Sequence, residues 1–329
     1  PWPTRSWTAI RRFAPSPTGP LHFGSLVAAL GSFLEARQQG GEWWVRIEDV
    51  DTQRARTGAA EAILRALDRY HLHWDGSVLY QSRRTDAYQT ALERLFDAGL
   101  AYPCTCSRRE LANHPRARDG SPVYPGRCRA GLGHADRPFA IRLRVTDTPL
   151  IFRDAVQGDY RQRLADDVGD FTIRRADGLF AYQLAVVVDD AAQGVTQVVR
   201  GRDLLDSTPR QIYLQQVLGL PTPRYAHLPV ATDRRGRKLS KQTGATPLDP
   251  LDPSPLLWAA LDFLGQSPPP ALRREPPATI LAWALEHWRL ATVPTTPSRR
   301  CLDAAVARHA PSGHQESDRR AIDKAEDVV

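Results

Sequence analysis

The chain has no Met, only four Cys in 329 residues, and no apolar run near the length of a membrane span. The last absence leaves no candidate membrane helix. Pro1 to Trp7 lacks a basic region followed by an apolar core, so no secretory signal is expected there. With no Met at its head, the start says nothing about a lost leader. Scarce cysteine excludes the disulfide framework of small secreted domains. The cysteines are also unevenly spaced. Cys104, Cys106 and Cys128 cluster, and Cys301 stands apart as a bystander. A tight C-x-C in such a chain points to a reducing, cytoplasmic location and to a metal.

What is present is ordinary in bulk. Hydrophobic residues make up 42% and charged residues 25%, which suits a soluble globular chain of two or three substructures. The net charge is +7, which fits a polyanion partner such as nucleic acid about as well as a generic basic surface. From Ile10 to Leu100 strand and helix patterns alternate. Strands are expected at 10–14 and 43–47, and helices at 21–38, 58–70 and 85–98. This alternation predicts an α/β fold with a parallel sheet. From Pro103 to Pro138 the periodicity disappears. Short strands are expected at 140–145 and 171–174. The alternating pattern returns over 180–205, followed by a helix at 207–218 capped by Ser207. Two further helices are expected at 253–264 and 278–287. Beyond Thr295 the chain turns polar and is expected to fray.

Two stretches carry chemistry. "RFAPSPTGPLHFGSLVAAL", residues 12–30, reads as a strand end, a proline-stiffened turn and a helix N-terminus. Gly19 and Gly24 leave room for a ligand at the backbone. Free N–H groups and the positive dipole end suit a phosphate, and His22 sits there. A Pro-rich turn with a surface histidine is the plainer alternative. "RKLSK", residues 237–241, is a basic loop able to close over a triphosphate, or simply a solvated one.

Taken together, these stretches resemble the paired signatures of class I aminoacyl-tRNA synthetases. "HFGS" is similar to the HIGH motif and "KLSKQ" to KMSKS. "VRIEDVDTQR", "HWDG", "YQSRR", "YPCTCSR", "AYQLAVVVDDAAQGVTQVVRGRDLL" and "LPV" extend the resemblance to glutamyl-tRNA synthetases over roughly residues 8–250. "LHFGSLVAALGSFLEAR" and "YPCTC…VYPGRC", with about eighty residues after "KLSKQ", narrow it to the truncated glutamyl-Q tRNA(Asp) synthetase family. That resemblance implies a ligase that activates L-glutamate with ATP. It then esterifies the glutamate onto queuosine at the wobble position of tRNA(Asp).

It also implies a class I Rossmann-type parallel sheet split by a zinc-containing insertion, then a small helical region. The expected boundaries are 8–100 and 176–245 for the two catalytic halves, 101–175 for the insertion, 246–295 for the helical part and 296–329 for a flexible tail. A glutamate site needs cations for two carboxylates and an anion for one ammonium. By resemblance, Arg12 and Arg200 grip the carboxylates, Glu48 takes the ammonium and Tyr182 lines the pocket. Phe13, Ala14, Pro15 and Ser16 form its turn. The plain alternative for Arg200 is an ion pair with Asp203. His22, Gly24 and Lys241 would hold ATP, which arrives with Mg²⁺. Lys241 would stabilise the transition-state oxygens with help from Lys238. Ser25 stands in place of the motif's second histidine.

Three thiolates from Cys104, Cys106 and Cys128 suit one structural Zn²⁺, which prefers four ligands. Resemblance makes Tyr124 the fourth, while His114 and His134 compete on chemistry alone. Arg116 and Arg118 lie within this stretch as possible RNA contacts. A monomer is expected. Two other readings compete: a shortened glutamyl-tRNA synthetase charging a tRNA 3′ end, and a non-catalytic zinc-containing RNA binder. The missing anticodon domain speaks against the first, and the intact site residues speak against the second.

Overall fold

The computed structural model describes residues 9–134, 136–233, 235–239 and 245–300. Alternating elements build a parallel core. β1 (Ile10–Phe13), β2 (Glu42–Ile47) and β3 (Leu79–Tyr80) pair in parallel, in the order β1-β2-β3. Between them run α1 (Phe23–Gln38) and α2 (Ala59–Arg69), and α3 (Thr85–Asp97) follows β3. Next come β4 (Ala101–Cys104), β5 (Ala140–Leu143), β6 (Leu150–Asp154), β7 (Gly158–Gln162), the short α4 (Leu164–Asp167) and β8 (Phe171–Arg174). β4, β5 and β8 form a separate antiparallel sheet.

The second half returns with α5 (Tyr182–Ala192), β9 (Gln197–Gly201), α6 (Thr208–Leu218) and β10 (Arg224–Leu228). β9, β10 and β6 are parallel neighbours, with β7 antiparallel at the edge. Thr196 N donates to Ile10 O at 3.0 Å, so β9 lies beside β1. The strand sequence therefore reverses direction across the sheet between β1 and β9. In open α/β sheets, the crevice at such a reversal, beyond the carboxyl ends of the strands, is where ligands bind.

Apolar residues explain the layers. Trp43, Val45 and Ile47 of β2 are fully buried, and α1 is apolar almost all round. It is covered by the sheet on one side and by α7 (Pro253–Phe263) and α8 (Pro277–His287) on the other. Trp288, also fully buried, donates from its indole to Glu35 of α1 at 2.8 Å. The helical C-terminal part is thus packed into the catalytic core.

Three details differ from the sequence expectation. α1 begins at Phe23, because Leu21 O is taken by Leu248 N at 2.9 Å. Ser207 makes no side-chain cap, because a 3-10 turn over 202–207 runs straight into α6 and leaves Ser207 already helical. Residues 298–300 form β12 (Ser298–Arg300), parallel to β11 (Val230–Thr232), where a loose tail was expected from 296. The rest of that tail, including Cys301, lies outside the described residues. Among the described residues, no helix is long and apolar enough to cross a membrane.

Candidate active site and metal cluster

Three parallel strands deliver charge to the reversal. Arg12 comes from β1, Glu48 follows β2, and Arg200 lies in β9. Arg12 is 3% exposed. Its Nε and Nη2 donate to the two oxygens of Asp190, both at 3.0 Å. Arg46 Nη1 donates to the same carboxylate at 2.7 Å, and its Nη2 reaches Glu48 at 3.3 Å. Burial alone would raise the Asp190 carboxyl, but Arg12 and Arg46 outweigh it and hold it at about 2. Glu48 moves the other way. Burial raises its carboxyl despite Arg46 and Arg12.

Arg200 is held differently. Its Nε donates to His227 Nε2 at 3.1 Å, and its Nη2 donates to Thr208 Oγ1 at 2.9 Å. Its Nη1 lies 3.4 Å from Tyr182 Oη, at the start of α5. Burial pushes the Tyr182 phenol up, and the charges acting on it are Arg200, Glu48, Arg12 and Asp190. Tyr182 thus touches Arg200 and lies within the field of Glu48 and Arg12. Asp203, the rival partner of Arg200, lies instead 2.6 Å from Lys238 Nζ.

The proline-rich turn is tied to the same place. Pro15 O accepts from Glu48 N at 3.0 Å, and Pro17 O accepts from Arg56 N at 2.9 Å. Ser16 is exposed on the turn, and its carbonyl accepts from Thr18 N. Ala14 is half-buried beside it. Phe13 contributes backbone only, because its ring is buried and stacks on Trp43 with centroids 6.2 Å apart.

The two signature stretches meet at the start of α1. His22 is its N-cap, in extended conformation, and no acidic residue occupies the first turn. A Cβ at Gly24 would lie 3.1 Å from His22 Cε1 and 3.8 Å from Ala231 Cβ. The first contact is tight, so glycine leaves the imidazole its room over the first helical turn, while the second is an ordinary contact that a side chain would also allow. Leu239 N donates to Ala231 O at 2.8 Å, and Lys238 bridges to Thr232. His22 itself bridges to Pro247. The chain on both sides of residues 240–244 is thus fixed near this helix end. Lys241 lies outside the described residues.

Away from this centre, the Sγ atoms of Cys104, Cys106 and Cys128 lie within 4.8 Å of one another. Tyr124 Oη is 3.3 Å from Cys104 Sγ, 3.7 Å from Cys106 Sγ and 2.9 Å from Cys128 N. Burial would raise the Cys128 thiol, but hydrogen bonds from Tyr124 and from the Thr105 and Gly133 backbone bring it to about 6. Arg142 lies over the Tyr124 ring at 3.8 Å, with its Nε 3.2 Å from Cys104 Sγ. Three soft donors, one phenol and an adjacent cation suit a small divalent metal. His134 instead faces Glu110 at 3.4 Å, and neither it nor His114 joins the cluster. Arg116 bonds the Gly120 carbonyl, and Arg118 lies against Tyr160.

Sequence reasoning missed Arg46, Asp190, Asp154, Thr208 and His227. "VVVDD" carried one signal, since an apolar helix ending in two aspartates has to pair them when buried. His227 gave none, because one histidine on a strand is usually a satisfied core residue.

Residues 9–249 match the family model described as tRNA synthetases class I (E and Q), catalytic domain. A glutamyl-Q tRNA(Asp) synthetase of Dechloromonas aromatica is 59% identical over 285 residues, covering 86% of this chain and 95% of the relative. One from Aromatoleum aromaticum is 56% identical, covering 87% and 90%. Among solved structures, a glutamate-tRNA synthetase from Elizabethkingia anophelis superposes with a TM-score of 0.76 at 24% identity. It covers 92% of this chain and 69% of that one, and bears on the fold alone.

Proposed function

We infer the reaction from one premise: the chain belongs to the glutamyl-Q tRNA(Asp) synthetase family, within the class I tRNA synthetases (E and Q). It activates L-glutamate with ATP and transfers the glutamate to queuosine at the anticodon wobble position of tRNA(Asp). In the first step the α-carboxylate attacks the α-phosphate of ATP and pyrophosphate leaves. In the second, a queuosine hydroxyl attacks the mixed anhydride, forming an ester and releasing AMP.

The residues divide the work of the first step. Arg200 and Arg12 supply positive charge to the two carboxylates, and Glu48 accepts from the ammonium. Tyr182 hydrogen-bonds the substrate from the start of α5. Phe13, Ala14, Pro15 and Ser16 present backbone and a hydroxyl along the turn. His22 and the amides around Gly24 hold phosphate oxygens at the α1 N-terminus. Lys241 neutralises the charge that builds on the transferring phosphate, with Lys238 anchoring the chain beside it through Asp203. Mg²⁺ accompanies the triphosphate and neutralises its oxygens. The substrates are bound from a cytoplasmic pool.

We propose that Cys104, Cys106, Cys128 and Tyr124 hold one Zn²⁺. When bound, the ion would act as a staple for the cysteine loop between β4 and β5, whose own apolar cluster is small.

The observation that supports the site assignment is the delivery of Arg12, Glu48 and Arg200 to the same reversal of the sheet, with Arg200 in contact with Tyr182 and Arg12 linked to Glu48 through Asp190 and Arg46. Glutamate-dependent exchange of labelled pyrophosphate into ATP tests it. The wild type is expected to exchange. Glu48→Gln and Arg200→Ala are expected to raise the KM for glutamate about tenfold or more, the scale of a lost charge-assisted hydrogen bond. Unchanged glutamate KM in both variants would contradict the assignment.

A further inference from the structure

A buried polar chain crosses three neighbouring parallel strands, and two of its members, Asp154 and His227, have no part in the steps above. It runs from Asp154 of β6 through His227 of β10 to Arg200 of β9. The register places His227 directly beside Arg200, and Tyr225 beside Asp154. The side chains of Asp154 and His227 are 0% exposed.

The donors and acceptors in this chain can be assigned. Asp154 Oδ1 accepts from the backbone N–H of Val156, Gln157 and His227, at 3.0, 2.9 and 3.0 Å. The carboxylate is therefore fixed, and its Oδ2 lies 2.6 Å from His227 Nδ1. An ionised carboxylate only accepts, so Nδ1 carries the hydrogen. Nε2 then presents a lone pair, and Arg200, which has no acceptor, donates its Nε–H to it at 3.1 Å, with Thr208 Oγ1 3.2 Å from the same nitrogen. The other tautomer would turn an N–H against the guanidinium N–H.

The consequence is electrostatic as well as geometric. Arg12 is bound by the Asp190 carboxylate, which offsets its charge. Among the described residues, the hydrogen-bond partners of Arg200 are neutral: the imidazole of His227, the hydroxyl of Thr208, the phenol of Tyr182 and the Leu204 carbonyl. Its guanidinium is oriented without a directly bonded anion, while the Asp154 charge that fixes the imidazole stays one residue removed.

We propose that His227, held in its Nδ1–H tautomer by Asp154, is a positioning residue that presents Arg200 as an oriented, uncompensated cation for a carboxylate of the substrate. The proposal rests on the reading of Arg200 as a substrate-binding residue. Asp154→Asn tests it with little change of shape. The amide can keep its carbonyl on the three backbone N–H groups, which turns its NH₂ toward Nδ1 and forces the hydrogen to Nε2.

The expected result, for a variant whose circular dichroism matches the wild type, is a KM for glutamate raised about tenfold or more in pyrophosphate exchange. The KM for ATP stays within twofold. Nitrogen NMR of labelled histidine is expected to show the His227 hydrogen moved from Nδ1 to Nε2. A purely structural role would lower the melting temperature and leave the glutamate KM alone, and a folded Asp154→Asn with glutamate KM within twofold overturns the proposal. Should that variant not fold, His227→Gln and His227→Leu decide. Gln keeps an acceptor for Arg200 and is expected to have the lower glutamate KM, whereas equal values overturn the proposal. Arg200→Ala separates the two levels. If it leaves glutamate KM unchanged, the substrate reading fails and the proposal fails with it. If it raises KM while Asp154→Asn does not, only the positioning role fails.

Discussion

At the scale of single residues, burial decides what each charge can do. Asp190 joins Arg12 and Arg46 in the interior. Asp190→Ala would leave the buried Arg12 without its anion and Arg46 with Glu48 alone, and breaking a buried pair of this kind costs about 3–5 kcal/mol. Urea unfolding is expected to show a loss of that order. Glu48 has the opposite character. Its carboxyl is raised by burial, so acidification protonates it before ordinary carboxylates. The ammonium of the substrate then loses its partner, and the glutamate KM is expected to rise on the acid side of the profile. Glu48→Gln should start high and lack that acid limb. His227 contributes to stability with a defined sign. Burial is the main cause that holds it at about 4, below its ordinary 6.5, and the Arg200 charge acts in the same direction, while Asp154 and Asp203 pull it up. The folded state prefers the neutral ring. That contribution is complete above pH 6.5 and is lost as pH falls through about 4. Asp154, held near 2, adds a loss at lower pH still. Arg12, Glu48, Tyr182 and Arg200 were legible because their motifs stand in recognisable strings. The residues that orient them were not. Pairing of Arg12 with Asp190 joins positions far apart in the chain, and no local pattern states which buried aspartate meets which arginine.

At the scale of elements, glycine and proline set distances that side chains depend on. Gly24 gives His22 its place over the first turn of α1. Gly24→Ala is expected to fold normally yet raise the KM for ATP several-fold in pyrophosphate exchange, because a Cβ would press on the imidazole. Gly169 acts on the other centre. Its φ is +71°, and a Cβ there would meet the Tyr124 carbonyl oxygen at 2.2 Å. Gly169→Ala should displace Tyr124 and weaken metal retention, read as faster zinc release to a chromogenic chelator. Most helices, and β1, β2 and β9 of the parallel halves, could be read from the apolar pattern of the sequence. β3, β4, β6, β7, β10 and β11 were not foreseen. β6 and β7 carry exposed residues between buried ones around a turn, and β4 lies in a short stretch that leads into the cysteine loop. The Ser207 cap failed because the residues before it already coil, a feature set by packing against β9 and β10 rather than by the cap residue.

At the scale of the whole molecule, three units of different construction share one chain. The parallel sheet and the helices α7 and α8 share a continuous apolar core, with Trp288 bonded to Glu35. The cysteine cluster has a small core of its own, formed by Tyr102, Cys104, Leu111, Tyr124 and Cys128. Chelation should therefore loosen the cysteine loop between β4 and β5 while leaving the parallel core folded. Treated protein is expected to retain glutamate-dependent pyrophosphate exchange while losing transfer to tRNA. The central claim, that this fold brings activated glutamate to an anticodon base, is tested most directly with labelled glutamate, ATP and purified tRNA(Asp) with and without queuosine. Nuclease mapping of the product should place the label on the wobble nucleotide of the queuosine-containing tRNA, released by mild alkali. Label on the 3′-terminal adenosine, or equal labelling of tRNA lacking queuosine, would contradict the account.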